Sequence, residues 1–181
     1  MVDKIIETKR LILRPFVIED AQAVSNNCNN YNLAKTTLAL PYPYAKDVAI
    51  NWINRHEEWF EKDVRYEFAI TLKGEGILIG AIGLGNNSES KNGEVGYWIG
   101  EEYWNNGYAT EALKAIIKWA FEQKEFHRIY ARHFEMNASS GKVMINAGMT
   151  YEGKQIDHIF KNGSFHNIVL YGIVNKRNYL E

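Results

Sequence analysis

Tyr103-Trp104-Asn105-Asn106-Gly107-Tyr108-Ala109-Thr110-Glu111-Ala112 joins an extended segment to the most regular helical pattern in the chain. From Ala109 onward, Ala112, Leu113, Ile116, Ile117, Ala120 and Phe121 recur at helical spacing and form an uninterrupted amphipathic stripe. Gly107 and Ala109 keep side chains away from the head of this helix. Backbone N–H groups from Asn106 to Thr110 can therefore converge on an anion, where the helix N-terminus adds partial positive charge. A pyrophosphate suits such a place. One glycine before a helix also makes an ordinary turn, and the residues alone leave both readings open.

Working outward, a strand is predicted over residues 94–99 before the helix and another over 128–133 after it. This strand-helix-strand passage predicts one parallel pairing inside an otherwise antiparallel sheet. Upstream, residues 66–72 and 77–84 read as strands joined through Lys73-Gly74-Glu75-Gly76, and with 94–99 they predict a meander. The run 10–15 alternates and stops at Pro15, a helix follows over 18–29, and 36–44 with Pro41 and Pro43 is an irregular loop. A second helix is predicted over 46–62, with Ala49, Ile53, His56 and Phe60 on one face. A short helix over 138–147 and a hairpin (150–160 and 165–174, turning at Asn162-Gly163) complete one domain spanning 1–181, with its core over about 8–175.

The composition narrows the function. With 21 Lys+Arg against 22 Asp+Glu the net charge is −1, which removes the phosphate attraction on which most nucleic-acid binders depend. The lone Cys28 allows no internal disulfide, and no Cys/His spacing fits zinc, so no metal is expected. No apolar run approaches a membrane span, and the first residues lack a signal-peptide core, so a cytoplasmic protein is expected. Gly83-Leu84-Gly85 lacks the third glycine of a dinucleotide fingerprint, and no Gly-Lys-Ser/Thr element is present.

Three ordered motifs are similar to those of the GCN5-related N-acetyltransferases, the GNAT family. They are Glu94-Val95-Gly96-Tyr97-Trp98-Ile99, the Tyr103 to Ala112 run, and Asn137-Ala138-Ser139-Ser140-Gly141-Lys142-Val143-Met144-Ile145-Asn146-Ala147-Gly148-Met149. The opening Thr8-Lys9-Arg10-Leu11-Ile12-Leu13-Arg14-Pro15 resembles the branch that acetylates the N-termini of ribosomal proteins, the RimJ/RimL-like enzymes. The resemblance implies a mixed α/β fold: a mostly antiparallel sheet of about seven strands, flanked by about four helices and splayed between 94–99 and 128–133. It implies acetyl-CoA as cosubstrate, lying in that splay, and direct transfer to an amine in a ternary complex. Many relatives carry Gln or Arg where this chain has Trp104. Because backbone amides make the main contacts, that departure changes little.

Carried over residue by residue, the resemblance implies pyrophosphate binding by Asn105, Asn106, Gly107, Tyr108, Ala109 and Thr110. The backbone of Tyr97, Trp98 and Ile99, where family members commonly have a bulge, would meet the oxyanion and pair with the pantetheine arm. Acetylation requires a neutral amine, so a carboxylate base is expected. Glu94, sharing a face with Gly96 and Trp98, is the first choice, with Glu135 and His133 behind it. Asn137 would bond the pantetheine, or cap the helix that follows it. Met144 stands where many relatives have a tyrosine acid; the ribosomal-protein branch instead has a serine three residues after the Asn, and the resemblance implies that Ser140 hydrogen-bonds the leaving thiolate, against the plainer role of a first-turn serine. The implied acceptor is a protein N-terminal α-amine. The alternatives are a small amine (polyamine or aminoglycoside) or a non-catalytic acyl-CoA-binding module. The resemblance also allows a homodimer.

Overall fold

In the computed structural model, which describes residues 4–176, eight strands form one sheet in the order β1-β2-β3-β4-β5-β6-β8-β7. They are β1 Ile6–Glu7, β2 Leu11–Arg14, β3 Arg65–Leu72, β4 Leu78–Gly85, β5 Asn92–Ile99, β6 Arg128–Phe134, β7 Thr150–Lys161 and β8 Ser164–Val174. Neighbours are antiparallel except β5 and β6, which run parallel as the strand-helix-strand passage predicts. The eighth strand, β1, pairs Ile6 with Leu13; at two residues it is too short to show an alternating pattern. The helices are α1 Ala21–Cys28, α2 Tyr31–Ala34, α3 Lys46–Ile53, α4 His56–Glu61, α5 Tyr108–Gln123 and α6 Ala138–Asn146. The expected single domain over 1–181, including its first residues, reaches beyond the described residues at both ends.

Two cores sandwich the sheet. On one face Tyr66, Phe68, Ile82, Leu84 and Val95 meet Leu113, Ile116 and Ala120 of α5, which is the stripe read from the sequence. On the other face Ala69, Ala81 and Trp98 meet Val24 of α1 and Ala49 and Ile53 of α3. The single long helix expected over 46–62 is two helices. At the break, Arg55 N–H bonds to Trp52 C=O at 3.2 Å, a tight 3₁₀-type turn. That turn breaks the expected common face, since Ala49 and Ile53 enter the second core while Phe60 packs against the first.

The sheet opens where the site must lie. β5 and β6 pair through three residues only, Asn92 with Arg128, Gly93 with Ile129 and Glu94 with Tyr130. Beyond Glu94, β5 stays with β4 to Ile99, while β6 follows β8 to Phe134. The gap between these diverging strands is the expected splay. Among the described residues no helix is long and apolar enough to cross a membrane.

Candidate active site

At one end of the splay stands the head of α5. Its N-cap Gly107 has φ 79°, and Asn105 is also left-handed at φ 63°. A side chain at Gly107 would meet only the Arg10 guanidinium, at 3.5 Å, so conformation rather than space calls for glycine. The first helical bond runs from Glu111 N–H to Gly107 C=O at 3.1 Å, which leaves the amides of Gly107, Tyr108, Ala109 and Thr110 without helical partners. Asn106 braces the turn: its Nδ2 donates to the carbonyls of Tyr103 and Trp104 at 3.2 and 3.0 Å. Its own carbonyl accepts from Arg10 Nη1 at 2.9 Å. Arg10 also lies 4.6 Å from the Tyr108 ring centre and donates through Nε to Glu111 at 2.7 Å. Burial works against ionisation of Glu111, yet the bonds from Thr8 and Arg10 hold its carboxyl below the ordinary range. The carboxylate is thereby neutralised by Arg10 instead of repelling an anion at the helix head.

Along the gap, the register from Leu84 with Val95 to Gly80 with Ile99 is continuous, so the bulge expected around Tyr97 to Ile99 is absent. The opening arises because β6 leaves, not because β5 buckles. Gly100 N–H bonds back to Ile79 C=O at 2.8 Å. Antiparallel alternation then turns the amide groups of Val95, Tyr97 and Ile99 toward the gap and that of Trp98 toward β4. The Trp104 indole N–H occupies the Ile99 carbonyl at 2.7 Å. With the Val95 N–H taken by the last bridge to β6, the Val95 carbonyl and the backbone groups of Tyr97 are left as a short open strand edge.

The opposite wall is α6. Asn137 caps it, its Oδ1 accepting from Ser140 N–H at 3.3 Å, as the capping reading predicts. Its Nδ2 donates to Thr36 C=O at 3.2 Å, tying the loop before α3 to this wall. Ser140 Oγ lies 2.8 Å from the Tyr97 hydroxyl, which also donates to Ser140 C=O at 3.2 Å. Burial pushes the Tyr97 phenol up to about 12. His133 Nδ1 bonds to Phe134 C=O at 2.7 Å, and burial holds the ring below its ordinary value. A methyl group at Gly141 would come within 2.9 Å of His133 Nε2, so glycine there lets α6 close against β6.

These walls enclose a cleft of about 1110 Å³. Of the cofactor-binding residues read from the sequence, Asn106 and Thr110 lie outside its lining. Glu94 lines it and is held by Arg132 Nε at 2.7 Å. Glu67 on β3 also lines it, buried, with Arg65 Nε on its Oε1. Glu135 does not: it is paired with Lys154 at 2.8 Å and Asn167 at 2.7 Å outside the cleft. Cys28, the last residue of α1, is buried, and burial pushes its thiol up to about 12.

Residues 10–150 match the acetyltransferase (GNAT) domain family. This chain belongs to that family. It is similar to the N-acetyltransferase YnaD of Bacillus subtilis, 32% identical over 149 residues covering 82% of this chain and 84% of the relative. The ribosomal-protein-serine acetyltransferase of Escherichia coli is 30% identical over 99 residues, 54% of this chain and 55% of its own. Among solved structures, a GNAT-family acetyltransferase from Bacillus anthracis superposes with a TM-score of 0.84 at 27% identity, covering 94% of this chain and 98% of that one. The chain is therefore an acetyltransferase, and the splay is the opening expected of its fold.

Within this GNAT domain the fold adds groups that sequence reading missed. Tyr97, read from the sequence only for its backbone, also touches Ser140 through its side chain. Arg132 and Arg65 each hold a cleft carboxylate. Glu67 had one signal available: it is a lone acid inside Tyr66-Glu67-Phe68-Ala69-Ile70, an otherwise apolar strand interior.

Proposed function

We propose that the protein transfers the acetyl group of acetyl-CoA directly to a primary amine in a ternary complex, and that the acceptor is a protein N-terminal α-amine. The observation that carries this reading is the splay itself, with free amides at the head of α5 at one end and carboxylates on its floor. The amides of Gly107 to Thr110 would take the pyrophosphate, with Arg10 and the Asn105-Asn106 turn around them. The open edge from the Val95 carbonyl to Tyr97 would pair with the pantetheine amides, and Asn137 Nδ2 would exchange Thr36 for the same arm. A backbone N–H of this edge would meet the developing oxyanion, and Ser140 Oγ would donate to the departing sulfur.

An N-terminal amine suits this site for two reasons. Its pKa of roughly 8 leaves a usable neutral fraction at neutral pH, whereas a Lys amine near ~10.4 leaves very little. The cleft lining carries Arg65, Arg132 and Lys142 against Glu67 and Glu94, a balance that disfavours a polycation such as a polyamine or aminoglycoside. The likeness to a ribosomal-protein-serine acetyltransferase supports the same choice. The remaining proton would leave through a carboxylate of the floor, with Glu94 at its edge and Glu67 at its centre.

Release of CoA thiol from acetyl-CoA, measured with peptides starting in Ser, Thr or Ala beside spermidine and an aminoglycoside, tests the reading. Turnover with the peptides and little with the polycations is expected. The opposite order would move the acceptor to small amines. Tight acetyl-CoA binding without turnover on any amine would leave an acyl-CoA-binding module.

A further inference from the structure

Glu67 stands opposite Gly83, and Gly83 opposite Gly96, in one unbroken row across β3, β4 and β5. Residues directly opposite share a face, so the three line up on the α1 and α3 side of the sheet. Next to this row, Ala69, Ala81 and Trp98 pack into the second core, with Ala81 and Trp98 also lining the cleft. Within the row itself the two glycines leave the floor bare. A methyl group at Gly83 would overlap the Glu67 carboxylate, whose Oε2 is the nearest atom, so the side chain lies across β4 and reaches toward β5. A methyl at Gly96 would meet nothing within 4 Å. That empty place is two residues past Glu94, where pairing with β6 ends. The Glu67 carboxylate thus looks along a glycine-paved row into the mouth of the splay.

We infer that Glu67, rather than Glu94, takes the proton from the acceptor amine. The inference rests on the acetyl-transfer reading above and names the base within it. Arg65 holds Oε1, which leaves Oε2 as the atom turned toward the open floor. Glu94 stands at the edge of the floor, with Arg132 donating to it and both side chains about one-third exposed at 32%. Glu67 is nine-tenths buried, at 8% exposure, and burial raises its carboxyl despite Arg65. A carboxylate left under-neutralised in a dry site gains most by accepting a proton.

The step balances. An N–H bond of the ammonium breaks, its electron pair stays on nitrogen, and the proton goes to Glu67 Oε2. The nitrogen pair attacks the thioester carbon and the C–S pair leaves on sulfur. The second nitrogen proton neutralises that sulfur, and Glu67 returns its own proton to solvent once the amide has left. The other titratable groups lining the cleft are Arg65 on β3, Glu94 and Tyr97 on β5, Arg132 and His133 on β6, Tyr44 before α3, Tyr103 and Tyr108 by the head of α5, and Lys142 on α6, while His56 on α4 packs against the lining residue Trp52. Burial sends His56 down to about 4 and Tyr44 up to about 12, so neither titrates near neutrality.

The test compares Glu67→Gln, Glu94→Gln and the unaltered protein on the Ser, Thr and Ala peptides and on methoxyamine, an amine already neutral at pH 7. For Glu67→Gln, kcat on the peptides should fall ~100-fold and the acidic limb of the pH profile should flatten, while methoxyamine keeps its rate within about threefold. Glu94→Gln should retain the acidic limb, and all three proteins should bind acetyl-CoA equally by calorimetry. An acidic limb that survives Glu67→Gln, or a methoxyamine rate that falls with the peptide rate, overturns the assignment while leaving acetyl transfer standing. Unaltered protein that binds acetyl-CoA but releases no thiol with any amine overturns the transfer reading and this base with it. Should Glu67→Gln not fold, Glu67→Asp decides: an acidic limb with a lowered kcat supports the assignment, and an unchanged kcat with the carboxylate drawn back one methylene overturns it.

Discussion

The two ends of the cleft are built by opposite means. The anion end is consecutive sequence: Trp104 to Thr110 supply the turn, the left-handed residues and the free amides, and Arg10 is the one distant group that joins them. The floor at the other end is assembled from Glu67, Gly83 and Gly96 on three strands, and strand register alone brings them together. That register is set just beyond the row, where the β3–β4 pairing shifts between Ile70 and Thr71 and skips Ile79. A site made by a turn survives any slip elsewhere in the sheet. A site made by register is lost if one strand moves one residue, because every side chain then changes face.

The largest effect we expect from breaking this contrast lies at the anion end. Gly107→Val forces a β-branched residue into φ 79°, a strain of about 2 kcal/mol that the turn relieves by re-aiming its amides. The dissociation constant for acetyl-CoA, read by calorimetry, should rise roughly 30-fold while the KM for the amine stays put. An unchanged affinity would mean that side chains, not the turn, hold the pyrophosphate.

The matching change on the floor is Gly83→Ala. The added methyl overlaps the Glu67 carboxylate and must push it aside. Overpacking of this kind costs about 1–3 kcal/mol of stability, and kcat for the amine should fall roughly tenfold at unchanged acetyl-CoA affinity. Loss of acetyl-CoA binding instead would show that the two ends are not independent.

The same contrast explains which features are legible in the sequence. The α5 stripe, the parallel crossover and the Gly107 turn are local patterns, and each was legible in consecutive residues. Asn137 as a cap was legible for the same reason. The absent bulge in β5 was not, because it concerns how β6 departs and not any residue of β5. The split between α3 and α4 was hidden too, since the stripe through Ile53 and His56 runs on while Phe60 turns to the other core. Glu67 and the Tyr97 hydroxyl escaped because their partners lie 16 and 43 positions away, at Gly83 and Ser140, across strand pairing and a helix crossing.

The smallest effect concerns that Tyr97–Ser140 contact and asks whether it belongs to the chemistry. With burial holding the phenol at about 12, its proton cannot pass to a thiolate whose thiol has an ordinary pKa. Against a thiol near ~8.5, such a transfer runs uphill by roughly 5 kcal/mol. Tyr97 therefore orients Ser140 instead of supplying a proton: with its own hydrogen on the Ser140 carbonyl it accepts from Oγ, which fixes the serine rotamer beside the place of the sulfur, and the serine hydrogen turns to the sulfur as charge develops there. Tyr97→Phe should lower kcat about fivefold, a cost near 1 kcal/mol, with acetyl-CoA affinity unchanged. Because the effect runs through Ser140, it should vanish in a Ser140→Ala background, where no hydroxyl is left to orient. Equal losses in both backgrounds would make the contact a packing detail of α6 against β5, and Ser140 would then have to find its orientation from Asn137 alone.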